Sequence, residues 1–299
     1  MVLIIDGNQL ACRCYFSLDV LTNRAGKRTE TIYGFLNSLR KIIREYITDK
    51  NSVVLLTWDG GNDRRKKIFP EYKAGRKKFE NAFYEQLSEL REIITGLGIK
   101  QYHEKAIEAD DLIGTLTFKA RKKGQKVLII SSDHDFEQLI SRHVEILHPL
   151  GKNIIKNVQF VLDNYGITPD KLPEVMAITG DSTDNIPGIA GVGNKTAAKL
   201  ILANGTLEKI LNNVDNLKNL NKKGEIIDAK EDLKQKIKLN VNNIRISYEL
   251  VKICTELDIE LDLNKQKTNF DLVYEKFKIL ELRQFVNEFD FWKRTFGCK

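Results

Sequence analysis

Cysteine is scarce in this chain of 299 residues, and its four copies do not pair. Cys12, Cys14, Cys254 and Cys298 form no Cys-x-x-Cys pair and no zinc-finger spacing, so they read as ordinary core or helix residues. That usage makes a reducing cytosol the expected compartment. Long apolar runs are missing too. None reaches the length of a membrane span, and Met1–Ile5 leads straight into Asp6 without the pattern of a signal peptide. No internal repeat and no low-complexity linker interrupts the sequence. With only four histidines, no Ser/His or Cys/His constellation offers a side-chain nucleophile. The net charge of +7 favours a polyanionic partner without proving one. The length allows one large domain or two smaller ones with ample core.

The acids stand in particular places. Val2-Leu3-Ile4-Ile5 is wholly apolar, as expected of a strand buried on both faces of a parallel sheet, and it ends at Asp6. The pattern recurs at Val53–Trp58 before Asp59, and at Val127–Ile130 before Ser131-Ser132-Asp133-His134-Asp135. A carboxylate just past a strand's carboxyl end lies where open α/β sheets place ligands, although Asp6 alone reads more readily as a helix cap or turn residue. Glu108, Asp110 and Asp111 open a helical stretch, where acids also complement the dipole. Asp181 and Asp184 bring the set to nine. If these acids converge, repulsion decides the matter. Two like charges ~4 Å apart cost about 4 kcal/mol at an effective dielectric near 20. Several such pairs would exceed a domain's whole stability of roughly 5–15 kcal/mol. Oxygen-only ligands then call for hard cations, Mg²⁺ or Mn²⁺. His134, between two acids, reads as solvent-facing or as a nucleic-acid contact.

From Ile178 to Leu200 a Gly/Ser/Asn-rich turn holding Asp181 and Asp184 leads into Pro187-Gly188-Ile189-Ala190-Gly191-Val192-Gly193 and a helical pattern from Asn194. The glycines permit positive φ and close backbone approach, and the following helix start offers free N–H groups to a phosphate. This is the pattern of a helix-hairpin-helix, a sequence-independent clamp on the DNA backbone. Between Arg64 and Lys78 the only acid is Glu71, and Phe69, Tyr72 and Phe79 are interleaved among Arg and Lys. A solvated basic face is the plain reading; rings among cations beside an acidic site suit single-stranded nucleic acid better.

Helical spacing covers residues 31–47, 83–97, 195–203, 207–211 and 228–241, and 270–296 reads as helical with aromatic anchors. Val144–Leu147 adds a strand, and residues 212–223, rich in Asn and Lys, read as a surface loop. The fold class is therefore α/β, with a mainly parallel central sheet flanked by helices and a helical C-terminal part. The expected division is an α/β core over 1–157 and a helical DNA-binding part over 158–299, with the helix-hairpin-helix near 184–203, packed as one body.

These blocks together resemble the 5′-nuclease (flap endonuclease) family, in its stand-alone phage and bacterial form and as the 5′-nuclease domain of bacterial DNA polymerase I. Ile5-Asp6-Gly7-Asn8, Trp58-Asp59-Gly60, Phe69-Pro70-Glu71-Tyr72-Lys73-Ala74-Gly75-Arg76, Glu108-Ala109-Asp110-Asp111, Ser132 to Leu139 and the 178–200 stretch follow the family's order, with weaker similarity at Ser247 to Ile253. The last forty residues add nothing recognisable. The resemblance implies a PIN-like or resolvase-like core and a two-metal phosphodiesterase acting near 5′ ends of branched or nicked DNA. It implies Asp6, Asp59, Glu108 and Asp110 around one ion, Asp133, Asp135 and Asp184 around the other, and Asp111 and Asp181 assisting through water. It further implies a basic arch near 62–82, in which Lys73 and Arg76 grip the scissile phosphate, Tyr72 stacks on the terminal base and Arg65 touches a phosphate. Gly191, Gly193 and Lys195 of the hairpin would hold duplex DNA beside a K⁺ ion. Flapped or nicked duplexes and RNA–DNA hybrids are the implied partners, with replication proteins as further ones, for a monomer in a bacterial or phage-infected cytosol and not at a membrane. Trp58 stands where the family usually has phenylalanine. Two other readings remain: a PIN-like metal-dependent ribonuclease, and a non-catalytic DNA-junction binder.

Overall fold

The computed structural model describes residues 1–47, 49, 51–149 and 154–297; Cys298 lies outside them, and Cys12, Cys14 and Cys254 are free thiols. In chain order the first part runs β1 (Val2–Asp6), α1 (Gly7–Ser17), α2 (Glu30–Tyr46), β2 (Val53–Trp58), α3 (Asp63–Ile68), α4 (Asn81–Gly96) and β3 (Lys100–His103). It continues with α5 (Ala109–Lys122), β4 (Val127–Ile130), a 3₁₀ turn over Asp135–Leu139, β5 (Val144–Leu147) and β6 (Ile155–Lys156). The second part contains α6 (Val158–Tyr165), α7 (Leu172–Thr179), α8 (Asn194–Asn204), α9 (Leu207–Asn212), β7 (Lys218–Leu220) and β8 (Ile226–Asp228). It closes with α10 (Glu231–Val251), α11 (Phe270–Ile279), α12 (Arg283–Asn287) and α13 (Phe289–Phe296).

The main sheet has the order β3-β2-β1-β4-β5-β6, parallel throughout except for β6. β1 lies between β2 and β4, so the direction of winding reverses beside it, the place where such sheets open a crevice at their carboxyl edge. The alternation of side chains along β1 divides the core in two. Val2 and Ile4 join a cluster with α5, α7, α8 and α10, whereas Leu3 and Ile5 join another with α1, α2 and α4.

Helices α11–α13 depart from the expected division of the chain. Val273, Phe277, Leu280, Phe285, Phe289 and Trp292 are buried with α2 and α4 on the α/β body, not with the helix-hairpin-helix. Ion pairs fasten the same contact: Arg40 to Glu288 at 2.7 Å and Lys276 to Glu89 at 2.5 Å. Helices α7, α8 and α10 pack instead on the opposite face of the sheet, in the cluster that holds Val2, Ile4 and α5. A second correction concerns 212–223. Instead of an open loop, the chain builds the antiparallel ribbon β7–β8 there. No helix among the described residues is long and apolar enough to cross a membrane.

Candidate active site

Asp6 ends β1 and is at once a cap and a member of the acid cluster. Its Oδ1 accepts from Gln9 N at 3.0 Å and its Oδ2 from Ser131 Oγ at 3.2 Å. Burial, with repulsion from Asp59 and Asp133, pushes its carboxyl up to about 7. Asp59 follows β2, and its Oδ1 accepts from Ala109 N at 2.8 Å, so this acid caps α5. The approach depends on Gly60: a Cβ there would lie 1.8 Å from the Glu104 carbonyl oxygen. Trp58 behind it is buried, with its indole N–H donating to Gln101 at 2.7 Å, a packing role.

Asp133 and Asp135 follow β4, and Asp135 N donates to Asp133 Oδ1 at 2.9 Å. Burial first, then Asp133, Asp184 and Asp181, drive the Asp135 carboxyl up to about 8. Asp110, on the first turn of α5, is also held well above the carboxylate range by burial and by Asp133, Asp59 and Asp6, against the pull of Lys73. Asp181 and Asp184 occupy the turn between α7 and α8, closed by paired backbone bonds between Asp181 and Ile186. That turn packs on the end of α7 through Gly188, where a Cβ would stand 2.0 Å from the Thr179 carbonyl oxygen. Seven acids from separate segments (Asp6, Asp59, Asp110, Asp133, Asp135, Asp181 and Asp184) thus act on one another at the carboxyl edge of the sheet.

Basic side chains reach into the cluster from residues 69–76, a run of tight turns with Lys73 at φ 56°. Lys73 Nζ lies 2.5 Å from Glu108 Oε1 and 3.5 Å from Asp184 Oδ2, and Arg76 pairs with Asp184 Oδ1 at 2.5 Å. Burial pulls the Lys73 ammonium down, but Glu108, Asp110 and Asp184 outweigh it and hold the pKa above its ordinary value. The segment is latched to the hairpin turn by Lys73 N to Asp184 O at 2.9 Å and Asn185 Nδ2 to Glu71 O at 2.8 Å.

Three expected roles are corrected by this geometry. Arg65 is no surface phosphate contact: it is 2% exposed, grips both Asp111 oxygens at 3.0 Å, and donates to Glu108 at 2.5 Å and to the Leu250 carbonyl at 2.7 Å. Asp111 has no free oxygen for a bound water, because Arg65, Arg64 and Cys254 N engage it at 2.9–3.2 Å. Tyr72 is 2% exposed with its hydroxyl on Glu108 and Asp184, so its ring is not a stacking platform. Gly191, Gly193 and Lys195, by contrast, are exposed at the start of α8. His134 faces solvent, with Nδ1 2.7 Å from Glu137.

Sequence reasoning missed Ser131 and Gln138. Gln138 Nε2 donates to the carbonyls of Asp135 (2.9 Å) and Val251 (3.0 Å), and its Oε1 accepts from Ile253 N at 3.0 Å. It ties the acid-bearing turn to the end of α10. Nothing but its place inside a quoted block hinted at this.

Among the described residues, no three Asp, Glu, His or Cys side chains are already arranged to hold a metal ion. The donor chemistry nonetheless fits one: carboxylate oxygens alone, partly buried and mutually repelling, with Lys73 and Arg76 paired to Glu108 and Asp184 at their edge. The raised carboxyl values carry a pH consequence. In the folded chain Asp6 and Asp135 keep protons up to about 7 and about 8, whereas unfolded carboxyls lose them near 4. The native state therefore binds more protons across that window, and stability falls as pH rises through it. Thermal scans in chelator should show a lower Tm at pH 8 than at pH 5, with added Mg²⁺ restoring it at pH 8. A flat profile in chelator would mean that burial and carboxylate repulsion do not hold these two groups protonated.

Comparison with known proteins agrees with this architecture. The family model for the 5′-3′ exonuclease N-terminal resolvase-like domain matches residues 1–166, and that for the 5′-3′ exonuclease C-terminal SAM fold matches 167–271. A 5′-3′ exonuclease of Aquifex aeolicus is 33% identical over 291 residues, 96% of this chain and 94% of that protein. Thermostable DNA polymerase I of Thermus thermophilus is 36% identical over 263 residues, but the chain spans only 30% of its length. In fold, the chain is similar to the bacteriophage T5 flap endonuclease in a pseudo-enzyme–product complex with DNA and metal ions, with a TM-score of 0.67 at 18% identity, covering 98% and 97% of the two chains. The catalytic core of Rad2 in complex with DNA gives a TM-score of 0.63 at 16% identity, covering 100% and 92%.

Proposed function

The chain belongs to the 5′-3′ exonuclease family, and on that premise we propose that it is a divalent-metal-dependent, structure-specific 5′ nuclease. It cuts phosphodiesters near the 5′ ends of flapped or nicked DNA and of RNA–DNA hybrids such as primers. One observation carries the reading: acids from five stretches of the chain meet at the sheet's carboxyl edge, directly beside the helix-hairpin-helix turn that bears Asp184. Asp6, Asp59, Glu108 and Asp110 would hold one Mg²⁺, and Asp133, Asp135 and Asp184 a second, with Asp181 acting through water and Mn²⁺ able to substitute. Such ions supply a water of lowered pKa and positive charge for the phosphoryl oxygens.

The protein's own groups do the rest. Lys73, suspended between Glu108 and Asp184, and Arg76, half-exposed at the rim, present cations to a phosphate entering the cluster. Tyr72 and Arg65 hold Glu108 in place for it. The exposed Gly191–Lys195 turn grips the duplex backbone, with K⁺ at that hairpin as a further proposed ligand. Unpaired cysteines support a reducing cytosol, where a monomeric enzyme would serve replication and repair alongside other replication proteins.

An end-labelled 5′-flap duplex should be cut beside the branch with Mg²⁺ and left intact in chelator. Preference for linear single-stranded RNA would favour the PIN-like ribonuclease instead, and metal-supported binding without cleavage the junction binder. Lys73→Ala should slow single-turnover cleavage by about 10²-fold or more, while changing substrate affinity only a few-fold. A loss confined to affinity would reduce Lys73 to docking.

A further inference from the structure

The ribbon β7–β8 lies along α8, the helix whose start forms the proposed duplex clamp. Its base is pinned at the far end of that helix: Asn204 Nδ2 donates to the Lys218 carbonyl at 2.8 Å, and Lys218 N donates to Asn204 Oδ1 at 3.1 Å. Its tip returns toward the clamp, because Lys199 Nζ donates to the Asn221 carbonyl at 3.3 Å. Strand and helix therefore run antiparallel. Three strand residues advance ~10 Å while α8 steps back ~7.5 Å, which carries the residues beyond Asn221 toward Lys195, ~6 Å further along the helix.

The tip is a built turn. Asn221 Oδ1 accepts from Lys223 N at 2.8 Å and Glu225 N at 3.0 Å, and Gly224 takes φ +84°. Both acids of the ribbon are occupied internally: Glu225 accepts from Asn221 Nδ2 at 2.7 Å, and Asp228 pairs with Lys218 at 2.6 Å. Lys222 and Lys223 are exposed and enter no ion pair among the described residues. Two exposed lysines with no ion-pair partner among the described residues thus sit on an ordered turn whose base runs along α8 toward Lys195.

We propose that the β7–β8 tip is a second duplex-backbone contact, continuous with the helix-hairpin-helix, in which Lys222 and Lys223 neutralise phosphates further along the strand held at Gly191–Lys195. This rests on the nuclease reading for its duplex partner. It adds a surface that lengthens the grip on double-stranded DNA without touching the cluster.

The test is Lys222→Ala/Lys223→Ala, with Lys222→Arg/Lys223→Arg as the charge-keeping control, titrated in chelator with a blunt duplex and with its separate strands over a salt series. Each phosphate contact contributes about 0.9 to the slope of log affinity against log salt, so the alanine pair should flatten the duplex slope by about two and weaken duplex binding about ten-fold at low salt. Single-strand affinity and the cleavage rate at saturating substrate should stay at the wild-type level, and the arginine pair should behave as wild type. An unchanged duplex slope in the alanine pair would overturn the proposal, as would equal losses for duplex and single strand. If the wild-type chain cuts flaps, either result counts against the ribbon alone. A wild-type chain with no salt-dependent duplex binding would end both readings.

Discussion

Asp135→Asn is expected to abolish flap cleavage while leaving the protein at least as stable as the wild type in chelator. The two effects share a cause. Asp135 is partly buried among Asp133, Asp184 and Asp181, and its carboxyl is pushed up to about 8, so its charged form is costly in the fold. The amide keeps the shape and removes the charge. At pH 6 the wild-type side chain is already protonated, and the two proteins should melt alike. Above pH 8 the wild type carries the charge and the variant does not, so the difference in Tm should open in the variant's favour. Catalysis moves the other way. Losing one anionic ligand from a site that supplies several kcal/mol of transition-state stabilisation should lower single-turnover rates by about 10³-fold or more. Duplex affinity in chelator should hold or tighten slightly, because one fewer negative charge faces phosphate. Asp184→Ala makes the contrast: it should also stop cleavage but cost stability, since Arg76, Tyr72 and Lys73 lose their common partner. Wild-type turnover in both variants would remove the assigned cluster.

The local part of this site was open to reading from the chain. A run such as Val2–Ile5, apolar at every position, has no solvent face and must be a central strand, and its terminal acid then falls at the carboxyl edge whatever the remaining topology. Three runs of that kind placed Asp6, Asp59 and Asp133 without a structure. The polar strand Lys100–His103 and the two-residue strand Ile155–Lys156 carry no such signature, because each sits at an edge of the sheet and is held by pairing more than by burial. The tail from Phe270 to Phe296 showed its aromatic spacing but not its destination. An amphipathic helix records that it has a partner face, not which one. Asp111 faces Arg65, Arg64 and Cys254 N instead of the acid cluster. Neighbouring residues on a helix point about 100° apart, which turns Asp111 away from the direction that Asp110 takes on α5. Arg65 had no such clue, since its carbonyl partner, Leu250, is 185 residues away.

Arg65→Ala should therefore behave as a stability variant and not as a DNA-binding one. Its guanidinium joins three segments: Glu108 and Asp111 at the start of α5, its own helix α3, and the Leu250 carbonyl near the end of α10. Burial pulls its pKa down, and the two carboxylates more than offset that, so the cation is fixed by its surroundings. Truncation would leave two buried acids facing each other with less counter-charge, a loss of about 3–5 kcal/mol for a broken buried pair. For a chain of this size that is a fall in Tm on the order of 10 °C. Arg65→Lys should recover little, because one ammonium cannot span both Asp111 oxygens and also reach Glu108 and Leu250. Removing the partner as well, in Arg65→Gln/Asp111→Asn, should be less harmful than the sum of the single changes, since the pair forms one unit. Below its melting point Arg65→Ala should bind duplex DNA in chelator as the wild type does, while cleavage falls through the loosened Glu108. The opposite result, weaker DNA affinity at an unchanged Tm, would return Arg65 to the surface role that its basic neighbourhood first suggested.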